Sequence, residues 1–255
     1  SCPVGKWFNH TDNYLPFTDE LTVNLIYHIF PKHDNGVWQW NLDQLKKRMN
    51  LFTGRRLIAI STDSVCDPPE VVEEYLKGYD CEFMHFQNTK MHELVSFQPL
   101  LEAVQSLAPN EVTFRAHAKG VKYAPNNPNK DMFRTWVETL YETYLDDFTA
   151  VKDALESHPM AGSFKSYGQF NTPGSHKWYY AGSFYWFRNK DIYARNWQHV
   201  DKKAWGVESW PGLMCTKEEG ACLFFDYTEG PKMNNRQYWE TAGIFTELEK
   251  WRSAR

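Results

Sequence analysis

Four short apolar runs, each closed by a loop and followed by a helical pattern, constrain this chain more than any other feature. They are Val23 to Phe30 (VNLIYHIF), Arg56 to Ser61 (RLIAIS), Cys81 to Phe86 and Glu111 to Ala116 (EVTFRA). Continuous apolar character over so few residues suits strands covered on both faces. Pro31 breaks the first run. After it, Asn41 reads as an N-cap, with Leu42, Leu45, Met49 and Phe52 at helical spacing and Gly54 as the stop. Pro68-Pro69 opens a second helix through Lys77, and Glu93 to Leu107 reads as a third, distorted at Pro99. The order β-α-β-α-β-α-β with short joints predicts an α/β fold: a mostly parallel sheet with right-handed crossovers, flanked by helices.

The remaining chain is less regular. Residues 1–20 read as an extended lead-in and Tyr123 to Lys130 (YAPNNPNK) as an exposed loop. Met132 to Leu155 is the longest helical pattern, and Asp146-Asp147 inside it reads as a solvated face. Met160 to Tyr167 and Lys177 to Phe187 read as strands. Trp205 to Cys215 reads as a loop around Pro211-Gly212, and Thr216 to Cys222 as a short capped helix. Residues 228–255 are expected to wrap the surface as a C-terminal extension. No internal repeat is evident.

Composition narrows the function. With 255 residues, 42% hydrophobic and 24% charged, the chain carries an ordinary globular core. A net charge of −4 argues against a surface that coats nucleic acid. No apolar run is long enough for a transmembrane segment. Five scattered cysteines without a C-x-x-C fit reduced thiols and a cytoplasmic setting rather than a disulfide frame or zinc site. Ser1-Cys2-Pro3 shows no signal-peptide pattern and is compatible with an end trimmed from a larger polypeptide. Aromatics reach 16%, with 11 Trp, which suits either heavy core packing or a cleft that stacks on sugar rings.

Polar residues gather where strands end, the edge at which open α/β sheets bind ligands. Lys32 and His33 follow the first run, Asp63 the second, and His117-Ala118-Lys119-Gly120 the fourth. Alternation puts Arg115, His117 and Lys119 on one face, a cationic cluster suited to a diphosphate. Asp63 can accept hydrogen bonds from a nucleoside or serve as a turn residue. Glu208 sits between Trp205 and Trp210, where apolar surroundings would raise its pKa toward a general base's range. His85 reads as a satisfied structural histidine. No P-loop, G-x-S-x-G or H-E-x-x-H occurs.

At these residues the chain resembles nucleotide-sugar glycosyltransferases of the GT-A type, over roughly residues 22–225. In that family two strands, the second ending in Asp, embrace the nucleoside, and a metal-binding Asp-x-Asp follows a later strand. Here His117-Ala118-Lys119 stands in its place, which leaves a metal requirement open. A His-x-Lys followed by a long helix and a Gly-Ser-x-x-Trp-x-Arg segment is similar to rhamnan-synthesis-type polysaccharide proteins, the segment here being Gly182-Ser183-Phe184-Tyr185-Trp186-Phe187-Arg188.

The resemblance implies one GT-A-like domain over 1–255. Residues 1–125 would form a nucleotide-sugar-binding half, 126–227 an acceptor half and 228–255 the extension. It implies transfer from a donor such as a UDP- or GDP-sugar to a glycan hydroxyl, with inversion, in polysaccharide biosynthesis. Lys32, Asp63, Arg115, His117 and Lys119 would bind the donor. Tyr180, Ser183, Trp186, Arg188, Trp205 and Trp210 would bind the acceptor, and Glu208 would be the base. The alternative is a non-catalytic carbohydrate-binding protein. A glycoside hydrolase would need a second carboxylate facing Glu208, and a nucleotidyltransferase would need acidic metal ligands at the strand ends.

Overall fold

The computed structural model describes residues 16–18, 20–123, 126–170 and 172–255. Most of the expected lead-in over 1–20 and part of the loop at Tyr123 to Lys130 lie outside these. The first half alternates as the sequence predicts: β1 (Thr22–Ile29), α1 (Val37–Lys46), β2 (Arg56–Thr62), α2 (Pro69–Tyr75), β3 (Glu82–Gln87), α3 (Leu94–Ala103) and β4 (Glu111–His117). The second half holds α4 (Lys130–Leu145), α5 (Phe148–Ser157), β5 (Met160–Ser163), β6 (Lys165–Tyr167), β7 (Trp178–Tyr180), β8 (Tyr185–Arg188), α6 (Asn189–Tyr193), α7 (Gly206–Met214), β9 (Gly220–Phe224), α8 (Arg236–Thr241) and α9 (Ile244–Ser253).

Seven strands form one sheet in the order β3-β2-β1-β4-β8-β5-β9, and β6 and β7 form a separate pair. The pairs β1–β2, β1–β4, β2–β3 and β5–β9 are parallel, and β8 runs antiparallel to both β4 and β5. The mostly parallel α/β sheet flanked by helices is therefore present, with one reversed strand, β8, in its interior. One layer of core packs Phe52, Phe114 and Trp186 against one another, the last two 5.0 Å apart between ring centroids. Truncating such a buried aromatic to Ala costs about 3–5 kcal/mol.

Several local expectations are corrected. Helix α1 starts after Gly36, so Asn41 lies inside it rather than capping it. The buried Asn41 side chain instead donates to the carbonyls of Val37 and Lys119, both at 3.0 Å, and accepts from Tyr141 at 2.9 Å. The long helix divides at Asp146-Asp147, because the Asp147 carboxylate caps α5 through the Ala150 N–H. Asp146 meanwhile pairs with Arg48 at 2.6 Å. The strand expected over 160–167 breaks at Phe164, whose positive φ turns the chain from β5 into β6. Residues 216–219 form turns and the chain enters β9 at Gly220, so the short helix expected there is absent. The C-terminal extension is two helices that bury Trp239, Ile244 and Leu248.

The largest correction is 205–215, which is helix α7 and not a loop. Pro211 lacks the N–H that would reach the Val207 carbonyl four residues earlier. The Tyr185 hydroxyl donates to that carbonyl instead, at 3.0 Å. Gly212 is needed because a Cβ there would lie 2.6 Å from the Trp178 carbonyl oxygen. Both breakers are accommodated by partners distant in sequence.

Candidate functional site

The carboxyl ends of β1 and β4 are adjacent, with His28 and His117 in register. A cleft of about 330 Å³ opens above them. Three further pieces complete it: the start of α3 with Glu93, the turn from Ala118 to Tyr123, and the start of α7 with Glu208. The Lys119 turn is held in place by the Ala118 N–H to the His28 carbonyl at 2.9 Å and by Asn41 on the Lys119 carbonyl.

Beneath the cleft lies a buried polar cluster. Glu93 accepts from Arg115 Nη2 at 2.9 Å, and His117 Nδ1 lies 3.3 Å from the same carboxylate oxygen. His117 Nε2 faces the Gly182 carbonyl oxygen at 3.0 Å, and His28 Nδ1 bonds Ser96 Oγ at 2.6 Å. Burial pushes His117 down to about 4, against the opposing pull of Glu93, and pushes His28 down to about 3. Burial also lowers Lys119, while the carboxylates of Glu208 and Glu93 act to raise it. The Lys119 ammonium lies 4.2 Å from the Trp136 ring centroid.

Glu208 is the third residue of α7. Its Oε2 accepts from the Gly182 N–H at 2.9 Å and from Ser183 Oγ at 3.3 Å. Burial raises its pKa, and Lys119 and these two donors oppose the rise.

The structure sorts the sequence candidates. His117, Lys119, Ser183, Trp205 and Glu208 line the one cleft. Arg115 does not: it is fully buried below, bound to Glu93 and to the Ala116 carbonyl. His117 is held neutral near pH 7, so the expected pair of permanent cations reduces to the lysine. Lys32 donates to the Lys122 carbonyl at 3.4 Å. Asp63 holds its own turn, accepting from the Val65 N–H at 2.9 Å and from Asn88 Nδ2 at 3.0 Å.

Four expected acceptor contacts offer no face to a ligand. Tyr180, Trp186 and Trp210 are completely buried and donate to the carbonyls of Ala221, Tyr144 and Trp197. Arg188 pairs with Val112, at the opposite end of β4 from His117, because β8 runs antiparallel. The Gly-Ser-x-x-Trp-x-Arg segment therefore crosses the whole sheet: Gly182 and Ser183 meet the cleft, Trp186 fills the core, and Arg188 binds carbonyls on the far side. Glu93, His28 and Asn88 were not singled out in the sequence. The one signal for His28 is a polar residue in an otherwise apolar strand. Glu93 shows its role only once Arg115 and His117 are folded against it.

The donor atoms at the His117-Ala118-Lys119 position do not fit a divalent cation. Both imidazole nitrogens face oxygen partners, and an ammonium has no lone pair to give. The two carboxylates are engaged by Arg115 and by Gly182 with Ser183. Among the described residues, no group of three His, Cys, Asp or Glu side chains is placed to hold a metal, and no helix is long and apolar enough to cross a membrane.

No protein-family model and no curated protein sequence matches this chain. Several solved structures are distantly similar to it. One is a 4-diphosphocytidyl-2C-methyl-D-erythritol synthase from Anaerococcus prevotii DSM 20548, at 11% identity and TM-score 0.42, covering 89% of this chain and 99% of that one. A second is the mannosyltransferase PcManGT from Pyrobaculum calidifontis, in complex with GDP-Man and Mn2+, at 8% identity and TM-score 0.44. That match covers 84% of this chain and 59% of the mannosyltransferase's length. A third is a protein from Desulfovibrio desulfuricans G20 assigned as a nucleotide-diphospho-sugar transferase, at 11% identity and TM-score 0.38, covering 91% and 96%. At these scores none carries an activity or a residue's role to this chain.

Proposed function

We propose that this chain is a glycosyltransferase that moves a sugar from a nucleoside-diphosphate donor, such as a UDP- or GDP-sugar, to a glycan hydroxyl. One observation carries the reading: a lysine ammonium and a carboxylate of raised pKa line the same cleft at the carboxyl ends of β1 and β4. Those are the two groups a single displacement needs. Glu208 takes the proton from the acceptor hydroxyl as its oxygen attacks the anomeric carbon. The bond from that carbon to the diphosphate breaks, and its electron pair leaves with the diphosphate. Lys119 stabilises the departing charge. Attack from the face opposite the leaving group inverts the anomeric centre.

The strand ends of the first half supply the donor floor. The second half supplies the acceptor side through Trp205, which is 45% exposed and stacks with Phe170 at 6.2 Å. A flat indole at the rim of the cleft suits the C–H face of a sugar ring. Lys119 takes the charge-neutralising task that a metal would otherwise perform.

Calorimetric titration with UDP and GDP in EDTA tests the donor half of the reading; binding that requires added Mn2+ or Mg2+ would refute the lysine model, and no binding at all would favour a lectin. Glu208→Gln should keep nucleotide affinity and lose about 10²- to 10⁴-fold in transfer rate. Near-normal turnover in that variant would remove Glu208 from the mechanism.

A further inference from the structure

We propose that Ser183 is a positioning residue: its hydroxyl and the Gly182 N–H together clamp Glu208 Oε2, which leaves Oε1 as the atom that meets the acceptor hydroxyl. The inference rests on the reading of Glu208 as the base. It departs from the expectation that Ser183 touches the acceptor itself.

Both donors converge on one oxygen, at 2.9 Å and 3.3 Å. Among the described residues no hydrogen bond engages Oε1, and Glu208 lines the cleft. Ser183 is only 4% exposed, and its hydroxyl is spent on Glu208. Its backbone holds φ at 60°, a region that favours glycine. Strain of this kind persists where surrounding contacts over-determine it, and it clusters at functional sites. Glycine would satisfy the backbone at 183 more easily; what serine adds is the hydroxyl on Glu208.

The neighbouring position explains why the turn is built this way. Gly182 has φ of 106°, and a Cβ there would meet Leu140 Cδ1 at 2.9 Å. With no side chain at 182, the backbone presents its N–H to Glu208 and its carbonyl to His117. One residue thus fixes the spacing between the base and the histidine at the end of β4. The ionisable groups that act on Glu208 come from several elements. Lys119 approaches from the turn after β4, and Glu93 from the start of α3. Tyr123 on the cleft wall and Tyr144, Tyr179 and Tyr185 from α4, β7 and β8 each feel its charge. Of the cleft carboxylates and amines, Lys119 favours ionised Glu208 and Glu93 opposes it. The Ser183 hydroxyl adds to the favourable side, so its removal should move the titration upward.

Two variants test this, Ser183→Ala and Ser183→Gly. Glycine adopts φ near 60° without strain, so Ser183→Gly keeps the turn while deleting the hydroxyl. Both should raise the acid limb of the kcat/KM profile by about one to two pH units, the size expected for one hydrogen bond to a charged group. Both should lower kcat about tenfold with the donor KM unchanged. The Glu208 carboxyl carbon, followed by 13C NMR and assigned by its loss in Glu208→Gln, should titrate higher by the same amount in each. A Ser183→Gly protein whose acid limb and carboxyl titration match wild type overturns the inference. A wild-type protein that transfers no sugar from any nucleotide donor overturns instead the reading of Glu208 as a base, and the positioning role with it.

Discussion

Two buried clusters of charge sit at opposite ends of the sheet, and the one at the carboxyl end of β4 lines the cleft. Under the cleft, Arg115 binds Glu93, which in turn meets His117. At the far end of β8, Arg195 Nη2 binds Glu219 at 2.6 Å and Arg188 approaches Asp191 at 3.5 Å. The second cluster is closed by the protein itself. Arg195 also donates to the Met214 carbonyl and Cys215 Sγ, Glu219 takes the Thr216 N–H, and Arg188 reaches the carbonyls of Leu155 and Pro109. Burial raises the Asp191 pKa against the pull of Arg188, much as burial raises that of Glu208 against Lys119. Perturbed acids therefore occur in both places. What marks a candidate site off from a structural brace is an open side: Glu93, His117, Lys119 and Glu208 line a cleft, whereas the Arg195 guanidinium is taken up by Glu219, Cys215 and the Met214 carbonyl.

Arg195→Met should show the largest effect, about 3–5 kcal/mol of stability lost because Glu219 is left buried without its guanidinium. Urea unfolding would measure it. The double variant Arg195→Met, Glu219→Leu should recover most of the loss, and nucleotide affinity should stay unchanged in the folded fraction. Weakened nucleotide binding in the double variant would erase the contrast between the clusters. Lys119→Met should behave in the opposite way. It should weaken UDP or GDP binding by about 10- to 100-fold, as expected for one charge-assisted contact, with little change in the unfolding midpoint. Unchanged affinity there would separate the lysine from the diphosphate.

A last test sharpens the comparison through pH. His28 and His117 are held neutral, with folded values of about 3 and 4 against 6.5 for the free side chain. Between those values the unfolded chain binds more protons than the folded one, so stability rises with pH across the window. Their contribution should fall as pH drops from 6.5 toward 4, with these two histidines together taking up about two protons on unfolding. Replacing His28 with Asn should remove about one of them, read from the pH dependence of the unfolding free energy. An unaltered slope would mean that His28 is not held neutral in the fold.

The strands of the first half of the fold were legible to within a residue or two. The expected run at Arg56 to Ser61 is β2 at Arg56–Thr62, and the run at Glu111 to Ala116 is β4 at Glu111–His117. Buried parallel strands write themselves as apolar runs, and Pro and Gly punctuate them locally. The second half was legible only in part, because its signals point the wrong way without their partners. Pro211-Gly212 reads as a loop until Tyr185 and Trp178 are seen to accommodate it within a helix. The tryptophans that suggest a sugar platform divide by tertiary position: Trp186 and Trp210 are core, and Trp205 is at the rim.

The chain's own order of residues determined the α/β class, the four leading strands and the edge where polar side chains collect. Those depend on short-range patterning of apolar and turn residues, which a sequence displays directly. Only the folded molecule decided that Arg115 faces inward, that Glu93 joins it to His117, and that the 182–183 turn grips Glu208. Each of these pairings joins residues 22 or more positions apart in the chain. Burial and hydrogen-bond geometry, not local pattern, assign their charges and roles.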